Sequence, residues 1–193
     1  MKNTKTKKQL EKEILEFLNE ASTGPGKSKK PGWQLKHGLA CVLATIKDNA
    51  PRATPVDFFN DGLTIWIAGD PGKKIRNIRS NPRVAVGVFH PMDHSKLNRS
   101  LQIHGKAKLI SLKDNKKEFV PKIKKFGLSS MIEKLAKERV QGGTLAKADM
   151  KQWVEKTFGR FTLIRIDPDE ITFLRIDPKK GMERNVWKKR ARS

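Results

Sequence analysis

Residues 69–83 read Gly-Asp-Pro-Gly-Lys-Lys-Ile-Arg-Asn-Ile-Arg-Ser-Asn-Pro-Arg. Just before it, Leu63–Ala68 (Leu-Thr-Ile-Trp-Ile-Ala) has the pattern of a half-buried strand. Within it, Asp70 suits an N-cap and Pro71 a first turn, Ile75 and Ile78 share one helical face, and Asn81-Pro82 stops the helix. Val84–Phe89 resumes as a strand. The unit is strand, short basic helix, strand. Lys73 and Lys74 fall in the first helical turn, where a cation opposes the helix dipole. An anion bound there would explain the placement, because amide N–H groups and ammonium groups would converge on it. A helix that is basic because the whole chain is basic explains it equally well, and charge alone leaves both readings open.

Working outward, Leu39–Ile46 is a short apolar strand ending in a polar turn at 47–50. Arg52–Phe59 is a second strand interrupted by Pro55, and Asn60-Asp61-Gly62 marks a hairpin. Beyond the central unit, Pro91–Asn98 is a polar loop and Leu101–Leu112 a long strand with Gly105 near its middle. Residues 114–158 have helical patterning with a break at Gln141-Gly142-Gly143. A strand at Phe161–Ile166, a turn at Asp167–Glu170 and a strand at Ile171–Ile176 follow, then a basic tail from Lys179 to Ser193. Six or seven strands in mostly antiparallel succession, with helices inserted, suggest a sheet closed into a barrel, which removes exposed strand edges. At the other end, residues 6–20 place Leu10, Ile14, Phe17 and Leu18 on one helical face, and Ala21–Gly32 reads as a Gly/Pro/Lys linker. The expected organisation is therefore residues 1–32 as helix and linker, 33–178 as the barrel domain with a helical insertion at 114–158, and 179–193 as a tail.

The chain has 193 residues, enough to bury a sizeable core without staples. Its single cysteine, Cys41, excludes an internal disulfide or a multi-cysteine zinc site, and fits a reducing compartment. No apolar run approaches the roughly 20 residues of a membrane span, and the basic N-terminus lacks a signal core, so a cytoplasmic protein with no membrane partner is expected. Forty-two Lys and Arg against 20 Asp and Glu give a net charge of +22, spread over the whole length. Such a field attracts polyanions nonspecifically.

Other motifs carry less. Ala21–Ser28 fits a relaxed phosphate-loop pattern, but a helix precedes it and none can start after it, so it reads as linker. His90-Pro-Met-Asp-His94 offers two imidazoles and a carboxylate, but a proline-containing loop does not align i and i+4 as a helix does, and His37 and His104 are distant in sequence. No metal is expected. Cys41 lies in an apolar strand and reads as a small core residue. No catalytic residue stands out.

Taken in order, Leu43-Ala44-Thr45, Pro51-Arg52-Ala53-Thr54-Pro55-Val56, Ile65-Trp66-Ile67, Lys73-Lys74-Ile75-Arg76-Asn77-Ile78, Asn81-Pro82-Arg83-Val84 and Ile103-His104-Gly105-Lys106-Ala107 resemble the FMN-binding split β-barrel family named for pyridoxamine 5′-phosphate oxidase. The resemblance implies an α+β split antiparallel barrel, a homodimer with FMN in a groove between subunits, and oxidoreductase activity on a small-molecule substrate. It implies that Lys73 and Lys74 hold the FMN phosphate. It also implies that Arg52, Ala53, Thr54, Pro55 and Val56 line the flavin, that Ile67 and Ala68 lie beside the isoalloxazine ring, and that Ser100 makes a further contact. Three features depart from the family pattern: Ala68 stands where a hydroxyl residue is common, the 91–98 loop is long, and the C-terminal Trp and Arg pattern of true pyridoxamine phosphate oxidases is missing. The substrate is therefore unassigned. Three alternatives are a deazaflavin coenzyme on the same fold, a flavin-binding protein without turnover, and a nucleic-acid-binding protein using the tail at Lys188–Arg192. Aromatic residues at 7% with no tyrosine supply little for base stacking.

Overall fold

The computed structural model describes residues 5–22, 40–89 and 92–190. Residues 23–32 of the linker expected at 21–32, together with His37, Leu39, His90, Pro91 and the last three residues, lie outside them; Ala21 ends α1 instead of opening a linker. The element order is α1 (Lys7–Ala21), β1 (Ala40–Lys47), β2 (Ala50–Pro55), β3 (Phe59–Asp61), β4 (Thr64–Gly69), α2 (Lys73–Ser80), β5 (Arg83–Phe89), β6 (Asn98–Ser111), α3 (Lys116–Lys125), α4 (Leu128–Gln141), a 3-10 turn at Lys147–Asp149, α5 (Met150–Arg160), β7 (Thr162–Asp177) and β8 (Gly181–Lys188).

The strands form one antiparallel sheet in the order β2-β1-β5-β6-β7-β4-β3, with β8 also on β7. Alternate side chains explain how it curls. Cys41 and Leu43 of β1, Ile65 and Ile67 of β4, Val84, Val86 and Val88 of β5, Leu101 and Ile103 of β6, and Ile164, Ile166, Ile171 and Phe173 of β7 all meet in one buried cluster. The split comes from β7. Its outer edge pairs with β4 through residues 162–166 and with β8 through residues 170–177. This is the α+β split barrel.

The changeover explains why Asp167–Glu170 is not a turn. Pro168 cannot donate to a ladder, and it falls between the β4 and β8 pairings, where the outer edge carries no strand partner. The pairing with β6 shifts register between His104 and Gly105, so β7 runs through as one bulged strand. A Cβ on Gly105 would collide with the Asp167 carbonyl oxygen and lie 3.1 Å from the Pro168 Cα, so the close approach requires glycine.

Two expectations about the ends are corrected. Residues 181–188 are strand β8, not tail; they complete the lower edge of β7 and bury Trp187. The helix α1 is no appendage, because Leu10, Ile14, Phe17, Leu18 and Ala21 belong to the barrel core and Phe17 stacks on Phe173 at 5.8 Å. A capping box between Thr6 and Gln9 starts α1, and the Trp187 indole N–H donates to Glu11 across 2.6 Å. The expected second strand, 52–59, divides into β2 and β3.

The insertion 114–158 is helical as expected, and its break after Gln141 is a turn in which Gly143 takes φ +69. Its first helix covers the outer face of the sheet beside β4: Phe119, Ile123 and Phe126 pack with Phe59, Trp66, Ile110 and Leu163 in a second cluster. Asp61 is ion-paired to Lys122 and, at 2.6 Å, to Lys125, which pins α3 to the β3–β4 hairpin.

Candidate functional site

The helix α2 begins at Lys73, two residues later than an Asp70 cap would start it. Gly69 is still in β4, paired to Thr162, and Asp70–Gly72 are used to leave the strand. Gly72 is the cap residue, with extended backbone and no side-chain capping bond, so Lys73 and Lys74 are the first two residues of a helix whose leading amides have no side-chain partner among the described residues. Ile75 and Ile78 enter the barrel core, leaving Lys73 exposed and Lys74 half-buried. The Lys74 side chain lies along Gly69, its Cε 3.2 Å from where a Cβ would stand. Among the described residues, neither lysine has a carboxylate within ion-pair distance.

Arg52–Val56 runs alongside. In the β1–β2 register Arg52 faces Thr45 and Thr54 faces Leu43, so Arg52, Thr54 and Val56 share the face of the core residue Leu43. Ala53 and Pro55 point the other way and are exposed. The α2 helix is tied to this strand pair by Asn77, whose amide donates to the Thr45 hydroxyl across 3.1 Å. Lys73 is one helical turn before Asn77, and Arg52 is directly opposite Thr45. The bond seats α2 against β1, whose ladder partner β2 carries Arg52.

Thr54 supplies a test of fit. Its Oγ1 is fully buried and has no hydrogen-bond partner among the described residues. A buried hydroxyl without a partner costs about 1–3 kcal/mol. A ligand with polar ring edges lying on β2 would satisfy it.

Ile67 and Ala68 do not offer side chains to such a ligand. Ile67 points into the barrel core, and Ala68 packs against the α3 cluster. What they offer is backbone: β3 pairs with β4 only up to Trp66, so beyond it the outer edge of β4 has no strand partner among the described residues. Ser100 lies elsewhere. The register joins Gly69 to Thr162 and Thr162 to Ser111, while Ser100 is at the other end of β6, about 35 Å of strand away at 3.3 Å per residue. There it lines a cavity of about 180 Å³ with Phe89, Met92, Asn98, Arg99, Leu174 and Ile176. One chain does not bring Ser100 to the other candidates.

Asn77, which joins helix to sheet, was missed by sequence reasoning. The only signal for it is a polar residue on the helical face of Ile75 and Ile78. For nucleophilic chemistry the site offers nothing. Cys41 is buried in the core, and burial together with the Asp57 charge pushes its thiol up to about 12. No group of His, Cys, Asp and Glu that could hold a metal occurs among the described residues. The start of α2, with Lys73 and Lys74 on its first turn, suits anion binding.

Comparison with known proteins bears on what that partner is. A family profile described as pyridoxamine 5′-phosphate oxidase matches residues 34–175. No curated protein sequence matches the chain. Among solved structures, a pyridoxamine 5′-phosphate oxidase-related, FMN-binding protein from Nostoc punctiforme is 18% identical with a TM-score of 0.53, covering 78% of this chain and 81% of its own. A conserved hypothetical protein from Mycobacterium tuberculosis is 17% identical with a TM-score of 0.50, covering 92% and 83%. General Stress Protein 26 from Bacillus anthracis is 22% identical with a TM-score of 0.41, covering 69% and 82%. At these identities the first two structural likenesses speak to fold alone.

Proposed function

Because the chain belongs to the pyridoxamine 5′-phosphate oxidase family, we propose that it is a flavin-binding oxidoreductase of that family, taking FMN and acting on a small molecule. The observation that carries this reading is the start of α2: two lysines without carboxylate partners among the described residues, on a helix with no side-chain cap, at the exit of a barrel strand. In this reading Lys73, Lys74 and the leading amides of α2 hold the phosphate, and Arg52 adds a third cation from β2. The buried Thr54 hydroxyl and the free β4 backbone edge at Ile67 and Ala68 meet the polar edge of the ring. Val56, partly buried against the core, supplies apolar contact. When bound, the flavin supplies the hydride and electron chemistry; the chain binds, orients and excludes water.

A second copy of the chain is part of the proposal. With Cys41, Leu43, Val84, Val86 and Val88 inside, the outer faces of β2, β1 and β5 present, beyond Arg83 at the start of β5, the residues Ala53, Pro55, Val42, Ala44, Ala85, Gly87 and Phe89, an uncharged stretch in which Phe89 is 39% exposed. The helices α3–α5 cover a different part of the sheet. Apolar surface of this kind marks an association site, and a homodimer would cover it. No described helix is long and apolar enough to cross a membrane, in keeping with a cytoplasmic enzyme.

Mass spectrometry of small molecules released by heat from the purified protein tests the reading. FMN at one per chain is expected, and Lys73→Ala with Lys74→Ala should abolish its retention. Two charge-assisted bonds at about 1.5–3 kcal/mol each correspond to roughly 10²–10⁴ in Kd. A deazaflavin in the released fraction would replace FMN while keeping the site. A double variant that retains stoichiometric flavin would defeat the assignment.

A further inference from the structure

The helix α2 has a second cationic feature that the flavin reading leaves unused. From Pro71 to Phe89 the chain carries no acidic side chain. Arg76 and Arg79 are both exposed on α2, while Ile75 and Ile78 enter the core. Four residues on, Arg83 opens β5, and in the β5–β6 register it stands directly opposite Lys106. Arg83 and Lys106 are exposed on the outer face of the sheet, since their neighbours Val84 and Ala107 are the ones that enter the core. Like charges directly opposite one another on a sheet are destabilising.

The turn between helix and strand is held firmly. The Asn81 N–H donates to the Asn77 carbonyl at 2.7 Å, the Arg83 N–H to the Asn81 side chain at 3.0 Å, and the Ala107 N–H to the Pro82 carbonyl at 2.8 Å. The four cations are therefore carried on fixed backbone, from the solvent side of α2 onto β5 and β6. Arg76 and Arg79 are about 4.5 Å apart along the helix axis, at 1.5 Å per residue, and Arg83 and Lys106 are cross-strand partners.

Elsewhere some of the basic side chains are compensated. Lys108 pairs with Glu118, Arg165 with Glu118 and Asp167, Arg175 with Glu13, Arg99 with Glu20 and Lys188 with Glu170. Arg76, Arg79, Arg83 and Lys106 have no carboxylate within 4.0 Å among the described residues. The overall charge of +22 explains why cations are common. What sets these four apart is their place: three come from one helix–turn–strand unit, in a stretch from Pro71 to Phe89 with no acidic residue, and the fourth is the cross-strand partner of Arg83.

We propose that the row Arg76–Arg79–Arg83–Lys106 binds the phosphodiester backbone of nucleic acid, independently of base sequence. A linear polyanion matches an extended row of cations better than a compact phosphate does. The absence of tyrosine and the low aromatic content fit backbone contact without base stacking. The C-terminal basic residues are not needed: Lys188 is part of β8 and engaged with Glu170.

The test uses the full-length protein and a fluorescein-labelled dT20 strand, with anisotropy followed from 50 to 200 mM NaCl. Two quadruple variants remove the same charge. One is R76Q/R79Q/R83Q/K106Q, and the other is K137Q/K147Q/K151Q/K156Q on the α4–α5 side, whose lysines also have no carboxylate partner among the described residues. The slope of log affinity against log salt should fall by about 3 in the first variant, taking about 0.7 per single-strand phosphate contact, and stay unchanged in the second. The pair R76Q/R79Q, confined to the exposed side of α2, should lower it by about half as much and guards against misfolding of the strand substitutions. Equal loss in the two quadruple variants, an unchanged slope in the first, or no binding of dT20 by the wild type would each overturn the proposal.

Discussion

The side-chain amide of Asn77 donates to the hydroxyl of Thr45 across 3.1 Å, and both residues are buried. This bond joins α2 to β1. It sets the rotation of the helix, and with it the positions of Lys73, one turn earlier, and of Arg52, across the β1–β2 ladder from Thr45.

Asn77→Leu should therefore weaken a phosphate ligand more than a ligand without phosphate. We expect FMN affinity to fall roughly tenfold, as for the loss of about 1–2 kcal/mol, while riboflavin affinity is unchanged. Thr45→Val should do the same, and Thr45→Ser, which keeps the hydroxyl, should not. Fluorescence titration with both ligands checks this. A parallel loss for FMN and riboflavin would mean that the bond matters only for folding.

Gly105→Ala should be strongly destabilising. The added methyl meets backbone of the β7 bulge, which cannot move aside as a side chain can. Overpacking at about 1–3 kcal/mol is expected, read as a lower midpoint in urea with an unchanged m-value. Gly62→Ala offers the contrast: nothing lies within 4 Å of the added methyl, so only the φ of +61 resists it.

Acid should loosen α3. Hydrogen bonds from Lys122 and Lys125 hold the Asp61 carboxyl below its ordinary value. A carboxylate whose pKa is lower folded than unfolded contributes its full stabilisation above the unfolded value, near 3.9, and loses it as pH falls through the folded value. Wild-type stability should thus decline more steeply below about pH 4 than that of Asp61→Asn, which lacks this titration. Urea unfolding at pH 6, 4 and 3 gives the comparison; identical slopes would remove Asp61 from the account.

Cys41 should be unreactive in the native state. With its thiol pushed up to about 12 inside the barrel, a disulfide reagent at pH 8 should label it only as fast as the protein opens. Rapid stoichiometric labelling of native protein would contradict its place in the core.

Local patterns reach far in this chain. The alternation of Leu63–Ala68, the apolar pair Ile75 and Ile78, and the Asn60-Asp61-Gly62 hairpin are written in residue order, because strand and helix periods and turn chemistry depend on neighbours a few positions apart. So is the amphipathic face of α1. The pair Lys73-Lys74 after a strand is visible in the same way.

Other features depend on residues that meet only when the chain is folded. Asp167–Glu170 has turn composition yet lies in a continuous strand, because Gly105, more than sixty residues earlier, lets the bulge approach and β7 changes partner there. The basic stretch 181–188 becomes β8 because β7 offers an edge below the bulge. Ile67 turns inward, Ser100 sits at the far end of β6, and Asn77 finds Thr45 across thirty-two positions. Strand pairing and side-chain contact across the barrel are set by long-range burial, and one residue's shift in register reverses which face each side chain occupies.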